Sequence, residues 1–394
     1  MRCIFLALIL IFNITATIGY ARTTPGDSFV RAQNTQFTLD GQPYYVTGAN
    51  NHYLPWGSEA EISRVLDDAV AMGANVIRTF LQPVIGSLDN SSVPTIWRFQ
   101  AEEADSWSLN VHGMYLLYWD SKTSAMAINS GPNGMQRIDR LLAEARKRNL
   151  KVIVAFLDFW GYTGGAQQMR SWYGSKDENT FFFKDPRVEN DYKTWISFVI
   201  NRVNSITGYR YKDDPTIFAW ELMNEPQAPL PLRGQWISAI SSYVKALDPN
   251  HLVGSGEDRL NADNFAIATV DFVTWHGYPK YYGVNVEQFN DLITSNCGLA
   301  GKFGKPVLLE EFGYARSFDE PTQARVYETW LSNMRNDRNC AGWLIWRLVS
   351  RQDQGHYPPD TYDQFDVHND GGATWNVLLE AARLGRGVGP LRNK

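Results

Sequence analysis

The stretch Thr216-Ile217-Phe218-Ala219-Trp220-Glu221-Leu222-Met223-Asn224-Glu225-Pro226 is a short apolar run that ends in acidic and amide side chains and a proline. A run of this length without alternation reads as a strand buried on both faces, as in a parallel sheet covered by helices. The interior of such a strand rarely tolerates charge, so its glutamates mark the end where the strand emerges. Comparable runs fall at 44–49, 75–80, 152–157, 251–255, 272–276, 306–312 and 342–348.

Helical patterns lie between these runs. Ser58-Glu59-Ala60-Glu61 forms a capping box ahead of Ile62, Val65, Leu66, Ala69 and Met72, a stripe that ends at Gly73. Similar patterns cover 134–147, 190–203, 235–247, 286–294, 322–334 and 375–383. Eight parallel strands alternating with helices, and no Gly-rich phosphate loop after the first, predict an α/β fold: a closed (β/α)8 TIM barrel rather than a doubly wound sheet. The barrel is expected as a single catalytic domain over 22–394, with its core at about 37–384. Two connections that follow strands, 81–132 and 158–188, are long and rich in aromatics, among them Trp97, Trp107, Trp119, Trp160 and Trp172. Long loops of this kind are usually functional, and after a strand they sit on the C-terminal rim, so they are expected to wall a substrate cleft.

Composition narrows the function. Aromatic residues reach 13%, with 14 Trp, 19 Tyr and 20 Phe, in a chain whose charged fraction is an ordinary 20%. Flat rings in excess of core needs suit stacking on sugars. The net charge of −5 and the lack of a basic run argue against nucleic acid as a partner. Residues 1–21 read as a signal peptide: Arg2, an apolar core from Ile4 to Phe12, then small residues. That core falls short of a bilayer, and no later segment is long or apolar enough, so a secreted, extracellular, monomeric protein without a membrane segment is expected. Loss of the leader removes Cys3 and leaves Cys297 and Cys340, an even pair that suggests one disulfide, with two separate buried thiols as the other reading. Asn90-Ser91-Ser92 is an N-glycosylation acceptor sequence.

Cleaving a glycosidic bond needs one carboxyl group to protonate the departing oxygen and another to attack or support the anomeric carbon. Asn224-Glu225-Pro226, after the fourth strand, offers one, and Glu310-Glu311-Phe312-Gly313, after the seventh, offers the other. Strands four and seven face each other across a barrel mouth. Arg78 ends the second strand, where a buried cation would be costly without a carboxylate partner. His276 and Tyr278 end the sixth strand with a spacing that puts both on one face.

These segments resemble glycoside hydrolase family 5, particularly its endo-β-1,4-mannanases, over about 37–384. The resemblance implies Glu225 as general acid/base and Glu311 as nucleophile in a retaining mechanism. It further implies Arg78 holding the nucleophile ionised, Tyr278 hydrogen-bonding it, His276 orienting the acid/base and the reacting sugar, and Asn224 contacting the 2-OH. Trp346 is similar to the stacking platform under the cleaved sugar; Trp343, three residues earlier, falls on the opposite face. Glu310 is the alternative nucleophile, set aside because side chains alternate along a strand and the family places the functional carboxylate beside the aromatic-Gly pair. The stretch 161–172 resembles the mannanase loop after the third strand, which adds Trp160 and Trp172 as substrate-binding candidates. The implied substrate is a β-mannan polysaccharide, with β-1,4-glucanase or exo-β-mannosidase action on the same scaffold as alternatives. Gln227 departs from the pattern, because mannanases of this type often carry Arg directly after Asn-Glu-Pro. A metal-dependent hydrolase would want paired histidine ligands, and the six histidines show no His-x-His, so neither a metal nor a cofactor is expected. A non-catalytic sugar-binding barrel is the reading from another class.

Overall fold

The computed structural model describes residues 28–89, 91–99, 111, 113–175, 178–360 and 363–387. The expected leader at 1–21, the acceptor Asn90, Trp107 and the last residues of the tail lie outside the described residues. Each expected strand is present: β1 (Val46–Asn50), β2 (Val76–Phe80), β3 (Lys151–Ala155), β4 (Ile217–Glu221), β5 (Leu252–Gly254), β6 (Val273–Gly277), β7 (Val307–Phe312) and β8 (Cys340–Ile345). They form one parallel eight-stranded sheet in ring order, with β8 paired to β1. A parallel bridge between Gly254 and Phe272 joins β5 to β6 and completes the barrel.

The helices outside the ring are α1 (Glu59–Met72), α2 (Met135–Lys147), α3 (Pro186–Asn201), α4 (Leu230–Leu247), α5 (Val286–Phe303), α6 (Glu320–Asn336) and α7 (Ala373–Gly387). The capping box of α1 forms as expected, with Ser58 and Glu61 satisfying each other's backbone amides. Helix α3 starts earlier than the apolar stripe suggests, because Asp185 caps it and Pro186 takes the first turn. Between β5 and β6 the connection is a 3-10 turn, Ala262–Ala266, instead of a long helix. Helix α7 runs to Gly387, past the expected core boundary at 384, and lies close against β1: a Cβ at Gly385 would press on the Tyr45 ring. At the other end the fold begins before 37. A hairpin of Arg31–Gln33 and Gln36–Leu39 closes the barrel floor, where Phe37 meets Phe218 and Phe272 edge to face at 5.0 and 5.5 Å.

Cys297 on α5 is bonded to Cys340 at the start of β8, as the cysteine count suggested. Among the described residues, no helix is long and apolar enough to cross a membrane.

The long connection after β2 carries a small sheet of Val84–Ser87, Leu117–Asp120 and Ala125–Ile128. This sheet corrects one expectation. Trp172 does not reach the substrate cleft: its ring is buried against Trp119, and its indole N–H donates to the Ile85 carbonyl at 3.0 Å. Trp119 also packs on Tyr173 at 5.5 Å, so these rings form a minicore that pins the two long loops together.

Candidate active site

The C-terminal ends of β2, β4, β6, β7 and β8 meet around Arg78. Its guanidinium is fully buried and all five N–H donors are used. Nε and Nη2 grip Glu221 at 2.6 Å each, Nη2 also reaches Asn224 Oδ1 at 2.7 Å, and Nη1 reaches Asn50 Oδ1 at 2.9 Å and Glu311 Oε1 at 2.6 Å. The nucleophile candidate is therefore one of several partners, and the forked contact belongs to Glu221.

Strand β7 presents both of its glutamates inward. The register between β6 and β7 slips at this point, with Trp275 opposite Leu309 and His276 opposite Glu311, so Glu310 is the extra residue of a bulge. Strict alternation, on which the sequence argument relied, is broken there. Depth separates the two instead. Glu310 is sealed in the interior, 3.6 Å from Arg78 Nε and 3.8 Å from His276 Nε2. Glu311 lines the cleft, where it receives the Tyr278 hydroxyl at 2.6 Å.

Glu225 reaches the cleft by a backbone detour, with φ of +48° in the left-handed region, held by its amide donating to the Gly256 carbonyl at 2.8 Å. Gly256 permits that approach, since a Cβ there would collide with the Met223 carbonyl and the Glu221 carboxylate. The Glu225 carboxylate accepts the Trp160 indole N–H at 2.7 Å and meets His276 Nδ1 at 2.6 Å. His276 Nδ1 is also 3.4 Å from Glu311. One oxygen each of Glu225 and Glu311 and a ring nitrogen of His276 all lie within 4.8 Å of one another.

Charge sets the protonation pattern. Burial disfavours a charged His276, but the Glu311 charge and the Glu225 and Glu310 carboxylates outweigh it and raise its pKa well above the usual range. Burial also lifts Glu225, yet the His276 hydrogen bond and charge win and hold it below the ordinary range. Glu311 stays raised, because burial outweighs the pull of His276 and Arg78. A metal on the same three side chains would need a neutral imidazole, whereas these carboxylates keep His276 protonated.

Trp346 lines the cleft, its ring close to parallel with those of Phe80 and His52, whose centroids lie 6.1 and 5.7 Å away. Trp343 points to the helix side, edge to face with Phe312, as expected. The cleft encloses about 610 Å³ and brings together Trp160, Asn224, Glu225, His276, Tyr278, Glu311 and Trp346, with Arg78 directly beneath. Of the candidates, only Trp172 is elsewhere.

Sequence reasoning missed several contributors. Glu221 and Asn50 each end an apolar strand with a polar side chain, the same signal that singled out Arg78. Asp158 fixes Asn224 by accepting its amide at 2.9 Å, with burial pushing its own carboxyl up to about 7. Phe365 stacks on Tyr278 at 5.3 Å and Asp363 lines the wall beside it. Both come from the loop after β8, whose sequence has no motif to announce it.

Comparison with known proteins adds lineage to this geometry. Residues 132–338 match a family model described as GH family 5 beta-mannosidase-like. A probable mannan endo-1,4-beta-mannosidase F from Neosartorya fischeri is 28% identical over 86% of this chain and 72% of its own length. A putative mannan endo-1,4-beta-mannosidase 4 from Arabidopsis thaliana is 25% identical over 97% of both chains. Among solved structures, an endo-1,4-beta-mannanase from Rhizomucor miehei superposes with a TM-score of 0.74 at 26% identity, covering 91% of this chain and 100% of that one. An endo-beta-1,4-mannanase from Thermotoga petrophila gives 0.71 at 27% identity, covering 89% and 78%.

Proposed function

Because the chain belongs to glycoside hydrolase family 5, in its β-mannosidase-like branch, we propose that it is a retaining endo-β-1,4-mannanase acting on mannan, galactomannan or glucomannan. The observation that carries the reading is the approach of the Glu225 and Glu311 carboxylates to within 4.8 Å. Retaining enzymes hold their two carboxyl groups about 5 Å apart, whereas inverting ones leave room for a water at roughly 6.5–9.5 Å.

Each side chain then has a task. A sugar ring rests on Trp346 with its 2-OH toward Asn224. Arg78 and Tyr278 aim the Glu311 carboxylate at the anomeric carbon and disperse its charge. The proton for the leaving oxygen is held in the Glu225–His276 hydrogen bond, and Trp160 fixes the outer oxygen of Glu225. As the glycosidic bond breaks, that proton passes through Glu225 to the departing sugar and an ester forms at Glu311. Water, deprotonated by Glu225, then opens the ester with a second inversion.

Chain-internal cleavage fits a cleft that continues past Glu225 along Arg259, Tyr281 and Tyr282 instead of ending there. Action outside the cell fits the Cys297–Cys340 disulfide, which persists in oxidising compartments, and a leader peptide at 1–21. The test is proton NMR of products released from a manno-oligosaccharide. The first-formed reducing ends are expected as the β-anomer; initial α-anomer would end the retaining assignment.

A further inference from the structure

Position 227 lacks the arginine expected beside the acid/base. The Gln227 side chain turns back instead, its amide donating to the Glu225 carbonyl at 3.1 Å. The adjoining loop, tied to Glu225 through the Gly256 carbonyl, carries a different arginine. Arg259, on the connection from β5 to β6, lies with its guanidinium 4.1 Å over the Tyr282 ring and spends one N–H on the Tyr281 carbonyl at 3.2 Å. Four of its five donors are uncommitted, and the residue is exposed in the cleft wall. Two large rings line the same cleft and are partly exposed, Trp160 at 40% and Tyr281 at 47%, the latter with the Lys280 ammonium 5.5 Å over its ring.

The loop is rigidly tied to the chemistry. The His276 amide and the Tyr282 hydroxyl both donate to the Asp258 carbonyl, at 2.9 and 3.1 Å. Arg233 spans the two loops, meeting buried Glu257 at 2.8 Å and the Pro226 carbonyl at 3.2 Å. Arg259 is thus held at a fixed place relative to Glu225.

Direction follows from the proposed mechanism, on which this step rests. The sugar being attacked lies over Trp346 against Glu311, and Glu225 protonates the oxygen of the unit leaving. The departing portion must therefore lie beyond Glu225, where Trp160, Arg259 and Tyr281 stand.

We infer that Arg259, stacked on Tyr282 in the cleft that Trp160 and Tyr281 also line, binds the mannosyl unit on the leaving-group side and supplies from the adjoining loop the arginine that position 227 lacks. The same subsite receives sugar acceptors: the C1–Oε bond to Glu311 breaks, a bond from C1 to the acceptor hydroxyl oxygen forms, and the hydroxyl proton passes to the Glu225 carboxylate. Arg259 therefore favours transfer over hydrolysis when saccharide is abundant.

The test compares wild type and Arg259→Ala on mannohexaose and on a nitrophenyl β-mannobioside, whose leaving group presents no sugar to Arg259. The loss in kcat/KM on the hexaose is expected to exceed that on the nitrophenyl substrate by roughly tenfold, the worth of one charged hydrogen bond. Products longer than the starting hexaose should fall in parallel, as read by mass spectrometry. Equal losses on the two substrates, or none, would overturn the assignment of Arg259 while leaving the mannanase reading intact. Wild-type enzyme inactive on both mannosides would instead sink the mannanase reading and this inference with it.

Discussion

Strands β4 and β7 each deliver two glutamates, and the two pairs occupy different media. Glu221 and Glu310 are sealed inside the barrel with no exposed surface, while Glu225 and Glu311 open onto the cleft. The inner pair surrounds Arg78 and is too deep to meet substrate. The outer pair borrows the order thus created. After β4 three residues and the left-handed backbone of Glu225 separate inner from outer; in β7 a single bulge does. Identical side chains acquire different work from depth alone, since depth fixes what each can touch and how much its charge costs.

The widest gap between the pairs should appear on removing Glu311, the proposed nucleophile. Glu311→Ala is expected to reduce turnover of mannan by a factor on the order of 10⁵, the scale of nucleophile deletions in enzymes whose residues act as a unit. Its fold should persist. Burial holds the Glu311 carboxyl above its ordinary range, so its ionised form is a cost to folding at neutral pH and its removal relieves that cost. Differential scanning calorimetry should place Tm within about 4 °C of wild type. A collapse of Tm would mean that the outer pair is structural too.

Glu221→Ala should invert that pattern. It strips Arg78 of two of its five hydrogen bonds and leaves a buried guanidinium short of a partner. Breaking a buried pair from one side costs ~3–5 kcal/mol, read as a fall in Tm of roughly 5–10 °C. Activity should drop as well, because Arg78 would shift toward the vacated space and off Glu311. Wild-type Tm in this variant would erase the distinction between the layers.

The same contrast explains what was legible in the sequence. The eight strands and most helices could be read because burial on both faces demands continuous apolar runs, and because Ser58 and Gly73 punctuate α1 in the ordinary way. Glu225, Arg78 and His276 could be read because charge at the end of such a run needs a reason. What stayed hidden depended on register and long-range contact. The bulge at Glu310 exists only in the pairing of β7 with β6, so alternation pointed to Glu311, the carboxylate that lines the cleft, for an incomplete reason. Trp172 sits in a stretch similar to a mannanase cleft loop, yet a side sheet formed by residues about 90 and 50 positions earlier captures its indole. Glu221 carried the same signal as Arg78 and was passed over as part of the motif before Glu225.

The smallest expected effect probes the inner pair by itself. Burial, reinforced by the Glu310 charge, pushes the Glu221 carboxyl up against the pull of Arg78, which predicts that at neutral pH the two inner carboxyls share one proton. In Glu310→Gln the repulsion that raises Glu221 is gone, Glu221 ionises, and the layer still carries one negative charge. The outer groups then feel nearly the same field. Activity is lost toward acid as Glu311 gains a proton, and lost toward alkali as the Glu225–His276 pair gives one up. Both limbs of the kcat/KM profile should therefore move by less than about half a pH unit. If both inner carboxyls were ionised in the wild type, removing Glu310 would take one negative charge from the layer and lower the pKa values of Glu311 and His276 together. Both limbs would then slide toward acid by about a unit or more, and the shared proton would be refuted.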